Sequence, residues 1–269
     1  MFGYVSEFKE YYLKLLELTK EYQPHLGGAS AHFHYQDSDH TQLKELKERY
    51  ELEEIAGDVS EVNQVLNLTN WVNKRLTHGS MSHHEINHSL HILELAEQES
   101  LSANCYVIAT VLNEVLLSMG FKTKRVQCMP YDAHDLDSHV VNLVYLSEQK
   151  RWIYVDASWD KFVTDESGHI LDLKSFRERL AKNKTVLVNG QDTETDESTF
   201  YITYMSKNLF WFLCPAVSEF NSDAVTSTQT YYALYPNYYN ALSKLQSNRK
   251  VMVPLYIQKN FGSDAGDNK

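Results

Sequence analysis

The apolar positions of this chain change their spacing, from steps of three and four residues to steps of two. Over residues 104–119 they recur at helical spacing, and Gly120 stands where a glycine commonly follows a helix. Beyond it, apolar and polar side chains alternate in three segments, which predicts strands over residues 123–129, 139–146 and 151–157. Helical spacing predicts further helices over residues 4–22, 41–55, 61–76, 89–99 and 172–181.

The predicted elements come in the order helices, sheet and mixed elements, which indicates the α+β class. Residues 190–199 are acidic and predict a loop, and segments 201–214 and 231–239 predict a C-terminal portion that closes the sheet. We expect an N-terminal helical extension, a core, a C-terminal portion packed on the core, and a disordered tail. The predicted bounds of these parts are 1–59, 60–190, 191–261 and 262–269.

The composition is that of a folded protein, because 43% of the 269 residues are hydrophobic. The formal net charge is −11, from 36 acidic and 25 basic residues. Nucleic acids and anionic membranes bind clustered cations, so we expect neither as a partner. Three cysteines provide no disulfide framework, and the first ten residues lack the pattern of a cleaved secretory signal. We therefore expect a cytoplasmic protein.

Three polar residues of catalytic type stand near the ends of predicted elements. Cys105 begins the helix over 104–119, where unpaired backbone N–H groups and the helix dipole favour a thiolate. His139 begins one strand, and Asp156 lies near the end of the next. A thiol, an imidazole and a carboxylate that orients it are the parts of a cysteine nucleophile. The N–H groups at the helix start would also suit an oxyanion hole.

His139 and Asp156 are predicted to share one face of a hairpin. Opposed residues of a hairpin have a constant sum of residue numbers, and a sum of 295 pairs these two residues directly. A four-residue loop at 147–150 instead has a sum of 297 and places them diagonally. Both registers keep the two side chains on the same face, whereas an even sum would separate them.

Several runs resemble the transglutaminase-like superfamily, papain-like enzymes with a Cys-His-Asp triad. Residues 104–114 (NCYVIATVLNE) are similar to the nucleophile helix of that family, and residues 120–126 (GFKTKRV) to its glycine turn into the first core strand. Residues 137–142 (DSHVVN) and 152–158 (WIYVDAS) are similar to the strands that carry the histidine and the aspartate. The resemblance extends over roughly residues 60–215 and is closer to bacterial transglutaminase-domain proteins of unassigned substrate.

The resemblance implies a papain-like core in which the Cys105 helix packs on a small antiparallel sheet. It also implies acyl transfer through a Cys105 thioester, by a cysteine protease, amidohydrolase or transglutaminase-like acyltransferase, without a cofactor. We expect hydrolysis of a peptide or isopeptide amide, with Asn104, Tyr106 and Trp159 lining the substrate cleft. The alternative is a catalytically silent binding module of the same fold, although such modules usually lack the cysteine or the histidine.

A second motif predicts different chemistry. Residues 84–88 (HEINH) match H-E-x-x-H, in which two histidines one helical turn apart bind zinc and the glutamate activates water. His84 and His88 would be metal ligands, Glu85 the base, and Glu114 a possible third ligand. The chain holds twelve histidines, and the motif follows a Gly-Ser break rather than lying inside a clear helix. We therefore keep the zinc hydrolase only as an alternative and predict no bound metal.

Overall fold

The computed structural model describes residues 7–19, 32–80, 88–98, 101–132, 134–135, 137–191, 195–222, 229–237, 239 and 250–254. Its helices are α1 (Lys9–Leu18), α2 (Thr41–Arg49), α3 (Leu52–Ala56), α4 (Glu61–Arg75), α5 (Ser89–Gln98), α6 (Cys105–Ser118), α7 (Leu173–Ala181) and α8 (Asp196–Asn208). Its strands are β1 (His34–Tyr35), β2 (Thr77–His78), β3 (Ser102–Ala103), β4 (Thr123–Met129), β5 (His139–Leu146), β6 (Arg151–Val155), β7 (Val163–Thr164), β8 (Leu187–Val188), β9 (Trp211–Pro215), β10 (Val217–Ser218), β11 (Gln229–Leu234) and β12 (Lys250–Pro254).

The main sheet has six strands in the order β12-β11-β9-β4-β5-β6. All neighbouring pairs are antiparallel except β11 and β12, which run parallel. Three of the six strands come from the chain beyond residue 190, so this region adds strands to the same sheet as the central segment. The α+β class and the antiparallel sheet beside the Cys105 helix are confirmed.

Helices cover both faces of the sheet because its central strands are apolar on both sides. On β5, Leu143 packs with α1, α7 and α8, whereas its neighbour Val144 packs with α2 to α6. On β6, Tyr154 and Ile153 divide in the same way. Side chains that alternate along a strand point to opposite faces. The result is a three-layered arrangement with two hydrophobic cores.

The predicted N-terminal extension divides between these two layers. Leu16 of α1 is buried in the core shared with α7 and α8. Leu43 and Leu46 of α2 are buried against α6, in the other core. The predicted helix over residues 41–55 is in fact two helices, because Glu51 adopts a left-handed conformation with a φ of 52°.

Two of the predicted boundaries that differ from the structure belong to α8 and β6. Residues 196–199 belong to α8 rather than to an acidic loop, because the Thr195 side chain caps the helix by accepting the N–H of Ser198. The predicted strand over 151–157 ends at Val155, where the chain turns. The predicted tail at 262–269 lies outside the described residues. None of the described helices combines the length and the apolar character needed to traverse a bilayer.

Candidate active site

Cys105 is the first residue of α6 and is partly exposed. The preceding residue, Asn104, has extended backbone angles and caps the helix, because its Oδ1 accepts the N–H of Val107 at 3.0 Å. The earlier N–H groups of this turn have no carbonyl partner within the helix. The thiol therefore lies at the positive end of the helix dipole, as its place in the sequence predicted.

His139 is the first residue of β5, and its imidazole is fully buried. Its Nε2 lies 2.7 Å from Oδ2 of Asp156. Its Nδ1 makes no hydrogen bond of ordinary length within the described residues and is the ring nitrogen left for the thiol. The Sγ of Cys105 lies 3.9 Å from the carbonyl oxygen of Ser138, next to this histidine. The structure thus brings together the three residues singled out from the sequence.

The hairpin register explains how His139 reaches Asp156. Asn142 pairs with Val155 and Leu146 with Arg151, so paired residue numbers sum to 297 and the loop comprises residues 147–150. This is the second of the two registers considered from the sequence. Asp156 lies one position beyond the last paired residue and diagonal to His139, and both side chains share the face they were predicted to share.

Several groups hold the Asp156 carboxylate in place. Its Oδ1 accepts the N–H of Ser158 at 2.9 Å, and its Oδ2 accepts the hydroxyl of Tyr201 at 3.0 Å. Its backbone forms a two-way bridge with Lys161, which turns the chain at the end of β6. With His139 as a further partner, the carboxylate is buried but well bonded, as a buried charge requires.

The site favours a thiolate paired with an imidazolium. Burial raises the pKa of the Cys105 thiol, but hydrogen bonds from His139 and His78 and the charge on His139 outweigh burial and lower the pKa to about 6. Burial lowers the pKa of His139, but the charge and hydrogen bond of Asp156, with those of Cys105, raise the pKa to about 10. Between these values both groups are charged, which is the reactive form of a cysteine nucleophile.

His78 is a site residue that the sequence analysis missed. It lies on β2, which runs parallel to β3, and it pairs with Ala103, two residues before Cys105. The N–H of Gly79 donates to the carbonyl of Ala103 at 2.9 Å, which holds the two strands together. No motif marks His78 in the sequence, because its pairing partner is 25 positions away and each strand has only two residues.

Trp159 joins the two histidines. Its indole stacks on the ring of His139 with centroids 4.6 Å apart and meets the ring of His78 edge-on at 5.1 Å. Phe200 and Tyr204 of α8 also contact it edge-on, at 6.3 and 5.1 Å. Trp159 was predicted to line the cleft, and its partly exposed indole lies beside the imidazole of His139.

Helix α8 carries further site residues that the sequence analysis missed. Tyr201 bonds to Asp156, and burial raises the pKa of its phenol well above the ordinary value, so it remains a donor. Tyr204 donates to Asp137, and Lys207 bonds to Asp135 and Asp137 at 2.8 and 2.9 Å. These bonds tie the segment before His139 to α8. The three-residue spacing of Tyr201, Tyr204 and Lys207 on one helix face was the available signal.

The other two predicted cleft residues have structural contacts. Asn104 is exposed, but its Oδ1 is occupied by the helix cap. The Tyr106 ring lies under the guanidinium of Arg125, 4.8 Å from it. Their contact with substrate stays a prediction.

The zinc motif falls mostly outside the described residues, which include His88 but not His84 or Glu85. Within the part of the chain that the structure describes, no group of three or more metal-ligating side chains forms a site. Glu114, the possible third ligand, accepts the N–H of Ser89 with one oxygen and the N–H of Asn221 with the other. Both of its oxygens therefore already have partners within the fold.

Comparison with known proteins finds a family whose conserved region resembles the part of the chain that holds the site. A solved structure of a candidate cysteine protease from Cytophaga hutchinsonii aligns with 58% of this chain and 50% of its own, at 14% identity and a TM-score of 0.36. The chain thus spans about half the length of that protein. Among curated proteins, none matches the sequence significantly. The description of the transglutaminase-like superfamily matches residues 51–157, a range that includes Cys105, His139 and Asp156, and the resemblance read from the sequence is thereby confirmed.

Proposed function

We propose that this protein is a cysteine enzyme that hydrolyses a peptide or isopeptide amide through a thioester on Cys105. The observation that carries the proposal is the convergence of Cys105, His139 and Asp156. The carboxylate lies 2.7 Å from one ring nitrogen, and the thiol interacts with the same imidazole. The family match over residues 51–157 supports the same chemistry.

The first half of the reaction transfers the acyl group to sulfur. The thiolate of Cys105 attacks the amide carbon, and the charge that develops on the carbonyl oxygen is stabilised by N–H groups at the start of α6. The His139 imidazolium then donates its proton to the leaving amine, which breaks the C–N bond. Asp156 keeps the ring oriented and stabilises its charged form.

The second half transfers the acyl group to water. The neutral His139 removes a proton from a water molecule that attacks the thioester, and the carboxylic acid product leaves while the thiolate is restored. An amine in place of water would make the enzyme a transamidase. Nothing among the described residues indicates a binding site for a second, amine substrate, and we therefore propose hydrolysis.

The proposal is tested with a library of fluorogenic peptide amides and an isopeptide-linked fluorophore–quencher pair. We expect Cys105→Ala to abolish turnover and the chelator EDTA to leave the turnover of the native protein unchanged. Cys105→Ser should be nearly inactive, because an alcohol is not ionised at neutral pH. Turnover that persists in Cys105→Ala but disappears with EDTA would instead support the zinc hypothesis for His84, Glu85 and His88.

A further inference from the structure

The Cys105 thiol has hydrogen bonds from two imidazoles, those of His139 and His78, and the proposed mechanism uses only that of His139. His78 reaches the thiol from a separate element, β2, whose pairing with β3 places it beside the chain that enters α6. A Cβ on Gly79 would lie 2.4 Å from the Ser102 hydroxyl, which shows how closely these two strands approach each other.

The two histidines have different surroundings. His139 is fully buried and bonded to Asp156, as a proton carrier requires. His78 is exposed, and within the described residues no carboxylate pairs with it. Its ring is positioned by the edge-on contact with Trp159 at 5.1 Å. In the free enzyme the N–H of His78 bonds to the Cys105 thiolate. When that sulfur is bonded to the substrate it carries no charge, and the N–H of His78 can then donate to another acceptor.

We propose that His78 is a catalytic residue that donates a hydrogen bond to the carbonyl oxygen of the substrate in the tetrahedral intermediate. This inference rests on the proposed cysteine chemistry. In the tetrahedral intermediate the substrate carbon is bonded to Sγ of Cys105, so its oxygen lies close to the sulfur. The backbone N–H of Cys105 and the ring of His78 lie in the same region. The two donors come from the adjoining elements α6 and β2, and together they form an oxyanion hole.

The test compares two reactions of the same thiol that differ in whether an oxyanion forms. With p-nitrophenyl acetate the thiolate forms an S–C bond, the carbonyl oxygen becomes an oxyanion, and its collapse expels p-nitrophenolate. Water then hydrolyses the thioester, which restores the Cys105 thiolate and releases acetate and two protons. With iodoacetamide the thiolate displaces iodide directly, and no oxyanion forms. Both rates are measured at a pH where Cys105 is fully ionised, so that an altered thiol pKa does not affect them.

We expect His78→Ala to lower kcat/KM for the ester by about 10²–10³-fold, the effect of removing one oxyanion donor. The plateau rate of alkylation should change by less than about threefold, since Cys105 is fully ionised at this pH in both proteins. His78→Gln retains an N–H donor and should recover most of the ester turnover. His169→Ala, on an exposed loop, is the control histidine and should leave both rates unchanged.

Three results would overturn the donor role of His78: unchanged ester turnover in His78→Ala, an equal fall in both rates, or turnover in His78→Gln as low as in His78→Ala. Melting temperatures identify any variant that fails to fold. Failure of the proposed function is distinct, because ester turnover would then survive in Cys105→Ala.

Discussion

Among the described residues two carboxylates are buried, Asp156 and Glu114, and both lie around helix α6. Asp156 bonds to the imidazole of His139 and to the hydroxyl of Tyr201. Glu114, on α6 itself, accepts two backbone N–H groups, from Ser89 at 2.7 Å and Asn221 at 2.9 Å. One carboxylate thus has a titratable partner, whereas the other joins three segments of backbone.

The hydrogen-bond partners of each carboxylate determine which property of the protein its charge affects. The charge of Asp156 raises the pKa of His139, so it acts directly on the group that moves the proton in the proposed reaction. Burial raises the pKa of Glu114 to about 7, although the N–H groups of Ser89 and Asn221 and the charge of Arg125 oppose this. Its partners cannot change their charge. We therefore expect Asp156 to control the reaction and Glu114 to control stability.

The largest expected effect is on turnover in Asp156→Asn. The amide keeps the size of the side chain but no longer stabilises the imidazolium, and the loss is about 10⁴-fold in comparable serine triads. The melting temperature should change little. Kinetics of the variant on the substrate found with the peptide library, together with thermal unfolding, check this expectation.

A double variant shows whether Asp156 and His139 act as one unit. We expect Asp156→Asn combined with His139→Ala to be little worse than the worse single variant. Losses that multiply, in proteins with unchanged melting temperatures, would mean that the two residues are not partners in the reaction.

An intermediate effect is expected on stability in Glu114→Ala, which leaves two buried N–H groups without acceptors. Its cost is about 2–4 kcal/mol in the free energy of unfolding. Because the pKa of Glu114 is raised in the folded state, native stability should fall as pH rises from about 4.5 to 7, and the variant should lose this dependence. Urea unfolding between pH 4 and 8 measures both, with Glu94→Ala, at a partly exposed position of α5, as control.

The turnover of Glu114→Ala tests whether Glu114, unlike Asp156, has no part in the reaction. At a temperature where the variant is folded, its turnover should stay within about threefold of that of the native protein. A loss as large as that of Asp156→Asn, in a protein shown to be folded, would end the distinction between the two carboxylates.

The smallest expected effect is on the pH dependence of thiol reactivity. Alkylation of Cys105 by iodoacetamide should rise through a midpoint near pH 6, and turnover should fall as pH rises through about 10, where His139 loses its proton. At pH 6.5 the rate should exceed that of a free thiol by about tenfold. Cys128 and Cys214, which are buried, should react much more slowly.

The same experiment should also distinguish the effects of Asp156 and Glu114 on the thiol. Asp156→Asn should raise the alkylation midpoint, because a less basic His139 stabilises the thiolate less, while Glu114→Ala should not move it. Peptide mapping after timed labelling gives both midpoints. Identical midpoints in the two variants would show that Asp156 has no influence on the thiol.

The sequence alone predicted those features that depend on neighbours along the chain. Helical spacing and Gly120 identified α6, the helix that begins at Cys105, and alternation identified β4 and β5 with the bounds that the structure has. The shared face of His139 and Asp156 followed from the length of one hairpin loop. Such features are local, since periodicity and short turns are determined within a few residues.

Only the tertiary structure decided the features that depend on distant partners. The pairing of two-residue strands placed His78 beside Cys105, and the packing of α8 placed Tyr201 on Asp156 and Lys207 beside the segment before His139. Glu114 was considered as a metal ligand because its residue type permits that role, but both its oxygens bond to backbone groups 25 and 107 positions away. A sequence reveals which side chains can bind or react, whereas their partners are set by long-range packing, which leaves no periodic signal along the chain.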